Sequence, residues 1–195
     1  MKKVFIIHGY GSRPNGGWRP WLMAELDKKD VYACALSMPS PEKPIRSEWV
    51  EEIARNVERN KGDEIYLVGH SLGVPAILRY LEQSPKTLNI AGVVLVSGRC
   101  ILNEENEDKQ IEDFLKGGFD YQMIKLKTKK FVIIHGDNDP VVPVSNAMTL
   151  SKELNGELII IKNGQHLNGS AGWTSLPQCL EALDKMMKEG LKDET

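Results

Sequence analysis

Gly69-His70-Ser71-Leu72-Gly73 is the stretch that most constrains what this chain can become. Glu64-Ile65-Tyr66-Leu67-Val68, short and apolar, runs into it and reads as a buried strand. Residues 74–82, apolar at helical spacing, run out of it. G-x-S-x-G therefore sits at a strand-to-helix corner, the setting in which the pattern makes a nucleophile elbow. The turn is tight and strains the serine backbone, so glycines flank it where the chain must pass closely. The Ser71 hydroxyl then stands above the sheet. Amide groups at the start of the next helix point to where an oxyanion would form. The pattern alone arises by chance in roughly one chain of this length in ten to twenty. The strand before it and the helix after it are what give it weight.

The other apolar runs build a frame around that corner. Val4-Phe5-Ile6-Ile7 is continuous rather than alternating, as in strands buried on both faces of a parallel sheet. Residues 31–36, 91–96, 131–134 and 158–161 read the same way. Between the runs lie helical patterns: 18–28 with Trp21, Leu22 and Leu26 inward, 47–59, 144–154 and 176–188. In the second of these Ser47 is the expected N-cap, and Trp49, Val50, Ile53 and Val57 form the apolar stripe. Pro39, Pro41 and Pro44 keep the segment before it extended. Strands alternating with helices predict an α/β, doubly wound, six-stranded parallel sheet with helices on both faces. The length, 195 residues, suits one domain over 1–195. Residues 99–128 break the rhythm, with acidic Glu104, Glu105, Glu107 and Asp108, a short helix near 110–116 and Gly117-Gly118. That is too long for a plain connection, and a small flap or cap is expected there.

In such sheets ligands bind beyond the C-terminal strand ends, and the polar clusters of this chain all fall there. A serine nucleophile needs a base, and the base a carboxylate to orient it. One known chain order of the three is serine, acid, histidine. Of the four histidines, His166 follows the last strand, which fits that order; His8 and His70 precede the serine and His135 sits at a strand end. In His135-Gly136-Asp137-Asn138-Asp139-Pro140-Val141-Val142-Pro143 the spacing G-x-x-D-x-x-V-P selects Asp139 as the acid. Asp137 is the alternative, expected instead to cap the turn with its own side chain. The oxyanion hole is expected from the amides of Leu72 and Tyr10, the latter in His8-Gly9-Tyr10-Gly11. Gly9 and Gly11 let the backbone approach a substrate closely, and Trp173 is a candidate wall of the site.

Composition excludes the other classes. A net charge of −2 gives no electrostatic case for nucleic acid or an anionic membrane. Neither G-x-x-x-x-G-K-[ST] nor G-x-G-x-x-G occurs, so no phosphate loop is expected. Cys34, Cys100 and Cys179 are scattered, without C-x-x-C, which argues against both a disulfide framework and a zinc site. Met1-Lys2-Lys3 precedes too short an apolar run for a secretory signal, so a cytoplasmic location is expected and the sequon at Asn168 carries no weight. No cofactor or metal is expected, and the expected partner is a small-molecule acyl substrate.

Taken together, His8-Gly9-Tyr10-Gly11 with Trp18, Pro20-Trp21-Leu22, the proline loop after Met38, Gly-His-Ser-Leu-Gly, Asn138-Asp139-Pro140 and His166 to Trp173 resemble the small serine hydrolases of the retinoblastoma-binding protein nine family and their bacterial relatives. The resemblance spans nearly the whole chain. It implies an α/β-hydrolase core of six parallel strands, without the first antiparallel pair of larger hydrolases, and a triad at Ser71, Asp139 and His166. Relatives often carry Trp-Pro after the histidine, whereas Trp173 is followed here by Thr174-Ser175-Leu176-Pro177. Retinoblastoma-pocket binding does not carry over, because L-x-C-x-E is missing: Tyr32, Gly98 and Pro177 stand two residues before the cysteines. The expected activity is cleavage of an ester, thioester or amide acyl bond. An acyltransferase using the same residues, or a non-catalytic interaction protein on the same fold, is the alternative.

Overall fold

The computed structural model describes residues 1–60, 62–102, 109 and 111–190. Six strands, β1 Lys2–Ile7, β2 Tyr32–Ala35, β3 Glu64–His70, β4 Gly92–Val96, β5 Phe131–Gly136 and β6 Glu157–Ile161, form one sheet in the order β2-β1-β3-β4-β5-β6. Every pairing is parallel. This is the architecture the alternating runs require. The central strands are buried along their length because helices cover both faces.

Helices α1 Arg19–Asp27 and α7 Pro177–Gly190 lie on one face, where Leu22, Leu26, Leu176 and Leu183 pack on Val4, Ile6, Val68 and Val94. Helices α2 Arg46–Arg59, α3 Gly73–Gln83 and α6 Ser145–Leu154 lie on the other, where Trp49, Ile53, Ile77 and Leu150 pack on Phe5, Leu67, Leu95 and Ile133. The helices differ from the sequence reading in detail. Helix α2 starts one residue earlier, with Ile45 at the N-cap and no side-chain cap, so Ser47 lies inside the first turn. On α1 Arg19 is buried along with Leu22 and Leu26, and Trp21 is only partly covered.

Between β4 and β5 two short helices, α4 Glu112–Leu115 and α5 Tyr121–Lys125, dock on α3 through Arg79. Its Nε donates to the Phe114 carbonyl at 2.9 Å and Nη2 to the Lys116 carbonyl at 2.8 Å. Its Nη1 pairs with Glu82 at 2.8 Å, and the guanidinium lies 4.2 Å from the Phe119 ring centroid. Glu82 in turn accepts from the Asp120 amide. These residues thus join the α3 layer, and Phe114 and Ile124 enter its core. The acidic stretch Glu104 to Asp108 and Gln110 lie outside the described residues. Among the described residues no helix is long and apolar enough to cross a membrane.

Candidate active site

The C-terminal ends of β1, β3, β5 and β6 bring the expected residues to one place. Ser71 follows β3 directly and has φ +54, the left-handed strain an elbow demands. Its amide donates to the Val96 carbonyl of β4 at 2.9 Å. The next helix turns so sharply beneath β1 that a Cβ at Gly73 would stand 2.2 Å from the Ile7 carbonyl oxygen. Only glycine fits there, and the local glycine pattern is what makes the elbow possible.

Asp139 sits in the loop after β5 with its side chain fully buried. Oδ1 accepts from the amides of Val141 at 2.8 Å and Val142 at 2.9 Å, which fixes the carboxylate plane. Oδ2 lies 2.8 Å from His166 Nδ1 and 3.4 Å from His135 Nε2. Burial pushes this carboxyl up, but the hydrogen bonds from His166 and the Val142 and Val141 amides outweigh it and hold it below its ordinary value. His166 Nε2 lies 3.0 Å from Ser71 Oγ, so serine, histidine and aspartate form one hydrogen-bonded chain. Asp137 takes no part in it. Its carboxylate accepts from the Asn163 amide at 2.7 Å, across to the loop after β6 and not within its own turn.

That second loop is held from many sides. Asn138 Oδ1 accepts from the Gln165 amide at 2.8 Å. Trp18 Nε1 donates to the Leu167 carbonyl at 2.8 Å, and Trp173 Nε1 to the Gly164 carbonyl at 2.8 Å. His70 Nε2 donates to the His166 carbonyl at 3.0 Å, which fixes the tautomer of that ring. Burial, with the His166 ring beside it, drives His70 down to about 3, so it stays neutral. Trp173 is partly buried and acts here as a strut of the loop. The strut roles of Trp18, Asn138 and His70 carried no local signal in the sequence, because their partners lie far along the chain.

Across from the histidine, Gly9 backs directly onto Ser71, so that a Cβ there would come 2.9 Å from the serine Cβ. Gly11 donates its amide to the Pro41 carbonyl at 2.8 Å, and the Tyr10 hydroxyl donates to the Glu42 carbonyl at 3.0 Å, tying this loop to the proline segment. The amides of Tyr10 and Leu72 donate to no acceptor among the described residues. His8 Nδ1–H donates to the Gly9 carbonyl at 2.8 Å while Nε2 accepts from the Met38 amide at 3.3 Å. Burial lowers the pKa of this ring, and the neutral form it favours is the one this pairing needs. A groove of about 420 Å³ opens beside His8. A larger one, about 700 Å³, runs between α2 and the end of α3 and contains none of these residues, so its size says nothing about the site. Among the described residues no group of three or more His, Cys, Asp and Glu side chains is placed to hold a metal ion.

The model of the serine hydrolase family matches residues 4–185. The chain belongs to the serine hydrolase family. YdeN of Bacillus subtilis strain 168, named as a candidate hydrolase, is 34% identical over 182 residues, which is 93% of this serine hydrolase and 94% of YdeN. The crystal structure of the ydeN gene product superposes with a TM-score of 0.90 at 32% identity, covering 96% of this chain and all of that one (100%). Est1E from Butyrivibrio proteoclasticus shares the α/β-hydrolase fold at 19% identity, with a TM-score of 0.75 over 98% of this chain and 88% of its own.

Proposed function

We propose that this serine hydrolase cleaves an ester, thioester or amide acyl bond through an acyl-enzyme on Ser71. The continuous hydrogen-bonded chain Ser71–His166–Asp139 carries the reading. His166 Nε2 takes the hydroxyl proton as Oγ attacks the acyl carbon, and Asp139 holds the imidazole in the tautomer that can accept it. The tetrahedral oxyanion forms against the Tyr10 and Leu72 amides, whose donors have no other acceptor among the described residues. His166 returns the proton to the leaving group, then draws one from water to release the acid. Water is assigned as the acyl acceptor because the family consists of hydrolases. Most residues lining the groove beside His8 are polar, with only Pro14, Met38 and Pro41 apolar, which favours short acyl groups over long lipid chains.

A fluorophosphonate tests the reading. It should form one adduct, on Ser71, and Ser71→Ala should abolish both adduct and ester turnover. An adduct on another serine, or an unlabelled protein beside a labelled control hydrolase, would sink it.

A further inference from the structure

Arg19, the first residue of α1, is 3% exposed and pairs with no carboxylate among the described residues. Its Nη2 donates to Ser12 Oγ and to the Arg13 carbonyl, both at 2.7 Å, while Nε is buried with no partner. Burial lowers the guanidinium to about 10, so it remains a cation at neutral pH. Its charge is felt by His8 and by His70, the residues that flank the Gly9–Ser71 contact. A buried cation without a paired carboxylate is costly, so its presence calls for a structural reason.

The groove beside His8 offers the explanation. Ser12 and Arg13, the two residues that Arg19 holds, line it together with Asn15, Met38 and Glu42. Arg13 is exposed, and its guanidinium makes no hydrogen bond or ion pair among the described residues. Glu42 supplies a single carboxylate against the two guanidinium groups, and burial lowers the pKa of His8, so the ring adds no charge at neutral pH. The surroundings of the groove are therefore net positive. The groove borders the loop that backs the nucleophile: His8 lines it, and the next residue, Gly9, packs so closely on Ser71 that a Cβ there would stand 2.9 Å from the serine Cβ.

We propose that this groove receives the anionic end of the acyl substrate, so that the hydrolase prefers short acyl groups that end in a carboxylate. The inference rests on the acyl-enzyme reading above. Arg13 presents the planar fork that matches a carboxylate, and Arg19, which holds the Arg13 carbonyl, adds positive charge that no carboxylate among the described residues pairs with.

Matched nitrophenyl esters test this: butyrate and valerate against hemisuccinate and hemiglutarate, with the Ser71→Ala protein giving the uncatalysed background. At low salt kcat/KM should favour the carboxylate-ended ester by about tenfold, and the ratio should shrink as salt rises. Arg13→Gln should cut the ratio several-fold, and Arg19→Met should bring it near one. Should Arg19→Met fail to fold, the exposed Arg13 position carries the test alone. A wild-type ratio of one or less, or a ratio that Arg13→Gln leaves unchanged, overturns the proposal. Turnover and Ser71 labelling with no charge preference would sink this inference alone, whereas absence of both would sink the acyl-enzyme reading with it.

Discussion

The elbow and the histidine loop both hold strained backbone, and they hold it by opposite means. At the elbow a single non-glycine residue, Ser71, has positive φ, and the restraint is local: Gly73 passes under β1 at a distance no side chain would allow. In the histidine loop Asn163, Gln165 and Leu167 all have positive φ, between 47° and 55°, with His166 set among them. A left-handed leucine costs about 1–3 kcal/mol and persists only when the surroundings over-determine it. Here those surroundings are side chains from elsewhere: Asp137, Asn138, Trp18, Trp173 and His70 each bind a backbone group of the loop. Strain at the elbow is therefore written in neighbouring residues, and strain in the histidine loop is written across the whole chain.

The comparison breaks most visibly at the two aspartates of one loop. Asp139→Asn should lower kcat by about 10³–10⁴, because the amide cannot hold the imidazole in the tautomer that accepts the serine proton. Asp137→Asn keeps an oxygen that can accept from the Asn163 amide, so its loss should stay within about tenfold. Steady-state kinetics on one ester decides it, and equal losses or the reverse order would move the acid to Asp137.

The next effect is on folding. Gly73→Ala forces a Cβ onto the Ile7 carbonyl, a backbone atom that cannot swing aside. It should cost about 3 kcal/mol or more in denaturant unfolding, at the upper end of overpacking. A loss under about 1 kcal/mol would mean that the elbow relaxes and the close crossing is not a requirement.

This division explains what could be read in advance. The strands of the parallel sheet and the elbow are local patterns, each set by residues within a few positions of one another, and the chain order of Ser71, Asp139 and His166 follows from the order of the strand ends that carry them. The spacing of Asp139 from Gly136 was legible for the same reason. The burial of Arg19 was not, because an arginine in a helical pattern ordinarily faces water and nothing nearby announces the Ser12 loop folding over it. Nor was the role of Asp137, whose partner Asn163 stands on another loop. Helix α5 was missed because residues 121–125 are too few to show a period.

Acid should loosen both regions together. His8, His70 and His135 are all lowered by burial. In each case the unfolded chain binds a proton near pH 6.5 while the folded chain does not. Stability is therefore full above pH 6.5 and falls as pH drops, each ring contributing roughly 1 kcal/mol per pH unit until its folded value is reached. Asp139, held low in the fold, adds to the loss only below the ordinary carboxylate range. Unfolding free energies measured from pH 7.5 down to pH 5 should show this slope, and His70→Asn should remove its share. A flat profile would mean that the rings are hydrated and titrate normally.

The smallest effect separates two roles for Trp173. If the indole wall touches substrate, Trp173→Phe changes KM, and by different amounts for different acyl groups. If it is a strut, the change removes one neutral hydrogen bond to the Gly164 carbonyl, about 1 kcal/mol, and leaves the ring's packing largely in place. The loop then samples arrangements in which His166 Nε2 is off the serine, so kcat falls a few-fold while KM and acyl preference hold. Trp18→Phe, which releases the Leu167 carbonyl on the other side of His166, should do the same. The two bonds restrain one short loop, so their losses should be coupled. With either strut gone the second has less left to hold, and the double variant should lose less than the sum in free energy. Additive losses would assign the tryptophans to separate tasks, and a shift confined to KM would return Trp173 to the substrate wall.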